Sequence, residues 1–192
     1  MSFNTHFKAR LFLVAILFGI GVFTASPLKA QEAAAVDPGL LPTNPFYFVK
    51  EWQRAFRGFL TFNPVAKAEL ELKIADEKAV EIQKVDEASS ENGEAVKKAI
   101  ENYRRTQIRL KDRFESLRET SENPDFDRLL GQLAEKTVRH DKFFDNIAKK
   151  FGEEAEIQEL VSETKEKIDE VIVAGFQKDE TSKFAAKLEE AL

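Results

Sequence analysis

VDPGLLPTNPFYFVKEWQRAFRGFLTFNPVAKAELEL, residues 36–72, decides how the fold is read. The stretch holds Pro38, Pro42, Pro45 and Pro64, the only tryptophan of the chain, and a run of aromatics between two Asn-Pro pairs. Each pair reads as a helix start. An asparagine oxygen can accept one of the orphan backbone N–H groups of a first turn, and a proline at the first helical position has no N–H to leave unpaired. Asn44 is therefore the expected N-cap of one helix and Asn63 of the next, and Asn123-Pro124 repeats the signal further on.

Laid out at about 100° per residue, the first of these helices separates into two halves. Phe46, Phe48, Val49, Trp52, Ala55, Phe56, Phe59 and Leu60 fill one half. Tyr47, Lys50, Glu51, Arg54 and Arg57 fill the other. The expectation is that the face made by Phe46, Phe48, Val49, Trp52, Phe56, Phe59 and Leu60 caps the core of a bundle, because a short helix running straight into a long one usually packs on it. The same face has an alternative reading as an interaction surface. Rings opposite a basic polar face also suit a membrane interface.

The residues Pro38-Gly39-Leu40-Leu41-Pro42, Pro45-Phe46-Tyr47-Phe48, Thr61-Phe62, Pro64 and Lys67-Ala68-Glu69-Leu70-Glu71-Leu72 resemble an uncharacterised bacterial domain family. Its members are exported helical proteins of unassigned function. They usually carry Ser before the first helix-opening proline and Asp before the second, where this chain has Asn44 and Asn63. Both replacements keep a capping side chain. The resemblance implies an exported helical domain and brings no catalytic residue with it.

Residues 1–30 read as a signal peptide: Lys8 and Arg10, an apolar run from Leu11 to Ala25, and Leu28-Lys29-Ala30 ahead of Gln31. The run is shorter than the ~20 apolar residues of a comfortable membrane span. Cleavage after Ala30 is expected, which places the protein outside the cytoplasmic membrane. It would remove Lys8, Arg10 and Lys29 and no carboxylate, moving the net charge from −5 to −8. That balance argues against nucleic acid as the main partner. With no cysteine in the chain, disulfides and thiolate metal sites are excluded. Residues 31–44 read as an extended arm leading into one helical domain over 45–192.

Helices are expected at 45–61, 64–89, 94–119, 124–151, 153–177 and 181–190. Apolar positions step by three and four along each long one. The stripes are Val65, Ala68, Leu72, Ala75, Ala79 and Ile82; then Val96, Ile100, Tyr103, Gln107, Leu110, Phe114 and Leu117; then Phe126, Leu130, Leu133, Thr137, His140, Phe144, Ile147 and Phe151; then Ile157, Val161, Thr164, Ile168, Val171 and Gly175. The seams are of coiled-coil type. Ser89-Ser90-Glu91-Asn92-Gly93 should stop one helix, and Gly152 is expected past the end of another at positive φ. Three long helices of similar length with short links predict an elongated antiparallel up-down bundle, all-α, with a fourth member and the aromatic helix closing one end.

Little in the sequence points to chemistry. His140 sits in a core stripe without ligand company at helical spacing, so a structural role is expected rather than a catalytic or metal one. Paired acids such as Asp76-Glu77 and Glu153-Glu154 point about 100° apart on a helix and cannot converge. No calcium loop, phosphate loop or nucleophile elbow occurs. Arg104, Arg105, Arg109, Lys111 and Arg113 concentrate positive charge, with Arg105, Arg109 and Arg113 at i,i+4 as a basic ridge. These cations are expected to pair with acidic neighbouring helices, with an anionic polymer or lipid headgroup as the minor alternative. The function expected is that of an exported, non-enzymatic protein without cofactor or metal, acting by protein–protein interaction, self-association or scaffolding in the cell envelope. Alternatives are a peripheral membrane or envelope-surface binder using the aromatic helix, and a periplasmic holdase-like chaperone.

Overall fold

A computed structural model describes residues 39–88, 93–118 and 123–192. The expected leader at 1–30, the arm as far as residue 38, the stop at 89–92 and the helix end at 119–122 lie outside the described residues. The described residues form helices without strands: α1 (Tyr47–Leu60), α2 (Pro64–Ala88), α3 (Gly93–Ser116), α4 (Pro124–Lys150), α5 (Ala155–Phe176) and α6 (Lys183–Ala191).

Local chemistry explains most helix ends. Asn63 accepts from the Ala66 N–H at 3.0 Å, one turn into α2. Asn123 accepts from the Asp125 N–H at 3.0 Å with Pro124 in the first turn of α4. Asp125 and Asp127 begin α4 and Lys149 and Lys150 end it, each charge set against the opposite end of the helix dipole. Asn44 acts three residues upstream of the first helical residue: its Oδ1 accepts from the Phe46 N–H at 2.8 Å, and α1 begins at Tyr47. Asp179 performs the capping for α6, accepting from the Phe184 N–H at 2.7 Å while Ser182 turns through positive φ.

Two expectations about connections are corrected. Residues 39–44 are not extended, because Gly39 takes positive φ, the Asn44 N–H closes a turn on Leu41 O at 2.9 Å, and Leu41 lodges against the core. Among the described glycines only Gly39 has positive φ, so Gly152 does not supply the left-handed stop expected of it. The α4–α5 link is closed instead by the Glu154 N–H on Phe151 O at 3.0 Å.

The core consists of two apolar clusters. One gathers Ala75, Ala79, Ile82 and Val85 of α2, Val96, Ile100 and Tyr103 of α3, Phe144 and Ile147 of α4, and Ile157, Val161 and Ile168 of α5. The other gathers Val65, Ala68 and Leu72 of α2, Leu110 and Phe114 of α3, Phe126, Leu130 and Leu133 of α4, Val171 and Ala174 of α5, and Phe184 of α6. Ile172 packs against both. Along α3 and α4 the buried positions between the two clusters are largely polar: Thr106 and Gln107, then Thr137 and His140. Gly175 allows a close approach, since a methyl group there would meet Leu133 at 3.0 Å and Phe184 at 3.1 Å.

The placement of α1 reverses the expectation of a core cap. Phe46, Phe48, Val49, Trp52, Phe56, Phe59 and Leu60 are 50–77% exposed, and Phe62 beyond the helix is 81% exposed. The residues α1 buries are Tyr47 and Arg54. The reason lies in α2, which turns Ala68, Leu72, Ala75, Ala79 and Ile82 into the core and offers α1 a row of Glu77, Lys78 and Glu81. A charged row of this kind is satisfied by opposite charges and by hydrogen bonds, not by rings.

Candidate functional site

The attachment of α1 is a closed polar network. Arg54, 4% exposed, donates to Glu81 at 2.7 Å, to Glu77 at 3.0 Å and to Glu51 at 2.6 Å. Lys78, almost fully buried, donates to Glu51 at 2.9 Å and to the Tyr47 oxygen at 3.2 Å. The Tyr47 hydroxyl donates to Glu81 at 2.6 Å, and Lys50 also reaches Glu81. Three cations, Lys50, Arg54 and Lys78, thus face three carboxylates, Glu51, Glu77 and Glu81.

The ionisation of this network follows from burial and pairing together. Burial, with Glu81 beside it, pushes the Tyr47 phenol up, so it stays a proton donor. Burial also pushes Glu51 up, but Lys78 and Arg54 outweigh that push and hold its carboxyl at about 2. Burial draws Lys78 below the usual amine range, with Glu51 opposing. For Arg54, burial works against the charge, and Glu81 more than restores it.

With its polar half spent inward, α1 turns its rings outward as one surface. Beside them runs a groove of about 650 Å³, with Trp52, Ala55 and Phe59 on one side, Ile74 of α2 in its lining and Arg109 and Arg113 of α3 on the other. The basic ridge is therefore divided in its pairing. Arg109 reaches Glu71 at 3.3 Å and Arg105 reaches the Asn102 side chain, whereas Arg113 has no side-chain partner among the described residues. Arg104 pairs with Glu163, and Lys111 with Glu115 at 2.7 Å.

His140 is 2% exposed and bridges two helices. Its Nδ1 lies 2.9 Å from the Tyr103 hydroxyl and its Nε2 lies 3.2 Å from Asp76 of α2. Asp76 accepts from Lys136 at 2.8 Å and also from Arg139. A carboxylate can only accept, so Nε2 carries the proton and Nδ1 accepts from Tyr103. Burial keeps the imidazole below its ordinary value, against the pull of Asp76. For Asp76 burial pushes upward, but the His140 and Lys136 hydrogen bonds hold it well below the usual carboxylate range. The arrangement ties α2, α3 and α4 together, with Tyr103 and His140 buried and Asp76 at the edge, its side chain 29% exposed. Among the described residues no group of three or more His, Asp or Glu side chains is placed to hold a metal ion.

Residues 39–191 match the family described as Domain of unknown function (DUF5667). The chain belongs to this family. The match covers α1 to α6 and the turn before them. No curated protein and no solved structure matches the chain.

Sequence reasoning found the rings of α1 but turned them the wrong way, and it missed Glu77, Lys78, Glu81 and Asp76 as partners. The available signal was charge complementarity. Lys50, Glu51, Arg54 and Arg57 recur at helical spacing, as do Glu77, Lys78 and Glu81, with opposite signs available on each side.

Proposed function

We propose that the protein is an exported, non-enzymatic helical protein of the cell envelope that acts as a peripheral membrane binder, laying the aromatic face of α1 on the lipid surface. In this reading α2 to α5 run up and down as an antiparallel bundle and α1 lies along its flank as the contact element. One observation carries it: six large apolar residues of α1, and Phe46 just before it, stand 50–77% exposed on a helix whose polar face is fixed to α2 by ion pairs. The six exposed rings from Phe46 to Phe62, each worth about 150–250 Å² when fully buried, make a patch on the order of 700 Å². The largest apolar patch of an ordinary monomer is about 300–600 Å². A helix of 14 residues is about 21 Å long and suits an in-plane position at the interface, with rings in the acyl boundary and the bundle in water. Among the described residues no helix is long and apolar enough to cross a membrane.

Flotation of the exported protein with phospholipid vesicles tests this. The expected result is recovery in the lipid fraction, lost on Trp52→Ala/Phe59→Ala. A second reading, docking of a protein partner or a second copy on the same face, is favoured by the patch size, which is near the ~800 Å² per side of a standard protein interface. Sedimentation velocity without lipid separates the two, since self-association would appear as a concentration-dependent dimer.

A further inference from the structure

We infer that the groove between α1, α2 and α3 seats the anionic headgroup of a membrane phospholipid, a proposal that rests on the membrane reading of α1. The groove joins two kinds of wall. Trp52 and Phe59 belong to the face that would enter the lipid, and Lys67, Arg109 and Arg113 stand across from them. A lipid could therefore keep its acyl chains in the membrane along the rings while its phosphate meets the cations.

The local charge fits an anion. The groove is lined by four cations, Arg54, Lys67, Arg109 and Arg113, against Glu51 and Glu71. Arg54 and Glu51 are paired within the α1 network, and Arg109 spans to Glu71 at 3.3 Å. That leaves Lys67 and Arg113 with no carboxylate partner among the described residues. The cations of α1 do not add to this excess, since Lys50 and Arg54 are spent on Glu81, Glu77 and Glu51, and Arg57 lies 3.8 Å from Glu77. Two cations without a carboxylate partner beside an aromatic face, on a chain whose net charge is −5, give the molecule one place that an anionic headgroup is attracted to. Arginine and lysine differ in what they bring. Arg113 offers a planar fork for two phosphate oxygens, and Lys67 a compact charge on a flexible stem. Ile74 in the lining keeps part of the groove apolar, and the absent side chain of Gly58, which has nothing within 4 Å, leaves space on the α1 side.

The test uses the protein as exported, with vesicles of phosphatidylcholine alone and vesicles containing phosphatidylglycerol, and follows Trp52 emission and flotation. Two free cations at a lipid surface amount to a preference of about 30-fold for the anionic vesicles. In Lys67→Gln/Arg113→Gln that preference is expected to fall toward unity, with binding to phosphatidylcholine unchanged. Lys98→Gln/Lys149→Gln, which removes the same charge from exposed positions away from the groove, is expected to keep it. Equal loss in both double variants would reduce the effect to overall charge and overturn the inference, as would a wild type that binds both vesicles alike. Failure of wild-type protein to bind either vesicle would instead overturn the membrane reading. So would a lipid-free dimer whose Trp52 already emits at short wavelength.

Discussion

Arg54 is the residue on which the attachment of α1 depends most, because it alone meets all three carboxylates of the network. In Arg54→Ala, Glu81 would keep only Lys50 and Tyr47, and stripping a buried charge of a partner costs about 3–5 kcal/mol. Helix α1 can lift and let Glu81 hydrate, which caps the loss at the strength of the attachment. The expected outcome is therefore rapid amide exchange throughout α1 with a smaller fall in the global urea midpoint. Protection of α1 equal to wild type would contradict the role assigned to Arg54. Acidity should do the same job more gently. Glu51 is lowered from an ordinary 4.5 to about 2, so its contribution is complete above the unfolded value and is lost as pH falls through the folded one. Exchange of α1 amides is expected to accelerate relative to those of α2 to α5 between about pH 4.5 and 2. His140 was legible as a buried position of the core stripe but not as a bridge, since its partner Asp76 is distant in sequence on another helix. His140→Leu leaves the Tyr103 hydroxyl and one Asp76 contact unmade, a loss of about 1–3 kcal/mol in urea unfolding. His140→Gln should fall between that variant and wild type. A His140→Leu protein as stable as wild type would show the bridge to be dispensable.

At the scale of the element, α1 shows what an amphipathic pattern does and does not specify. Periodicity fixes that one half is apolar, and it gave the helix within two residues at either end. It does not fix which half meets the protein, since that depends on the surface offered by the neighbour. Here the neighbour offers Glu77, Lys78 and Glu81, which in α2 alone look like an ordinary solvated face. The long helices posed no such choice. Every stripe position from Val65 to Gly175 is buried, because the four apolar stripes, of similar length, cover one another, with Phe184 of α6 packed among them. The exposed position of Trp52 has a direct consequence. Trp52→Ala should change global stability by no more than about 0.5 kcal/mol, the usual range for an exposed site. The native indole, the only one in the chain, should emit at long wavelength in buffer. A short-wavelength native spectrum together with a sharply lowered melt would place the ring in a core after all.

For the molecule as a whole, the question is whether two apolar clusters make one cooperative unit or two. A row of buried polar groups separates them along α3 and α4, and the Gln107 oxygen has no hydrogen-bond partner, so the junction is a weak layer in apolar terms. Three features hold it shut. Each of α2, α3, α4 and α5 contributes to both clusters, so neither can open without fraying a helix in its middle. Thr106 and Thr137 satisfy their hydroxyls on their own helices, at 3.1 Å to Asn102 O and 2.7 Å to Leu133 O, and need nothing from across the layer. The Asp76–His140–Tyr103 bridge spans α2, α4 and α3 at this level. Breaking a helix at its centre discards hydrogen bonds and packing on both sides, which costs more than the poor layer relieves. Native-state hydrogen exchange is therefore expected to show two tiers. Amides of α1 should open at a fraction of the global free energy, because α1 is held by polar contacts to α2. Amides beside Ile100 and Ile147 in one cluster, and beside Leu110 and Leu130 in the other, should exchange together at the global value. Separate exchange of the two sets, with one persisting to higher denaturant, would mean that the polar layer divides α2 to α5 into independent halves.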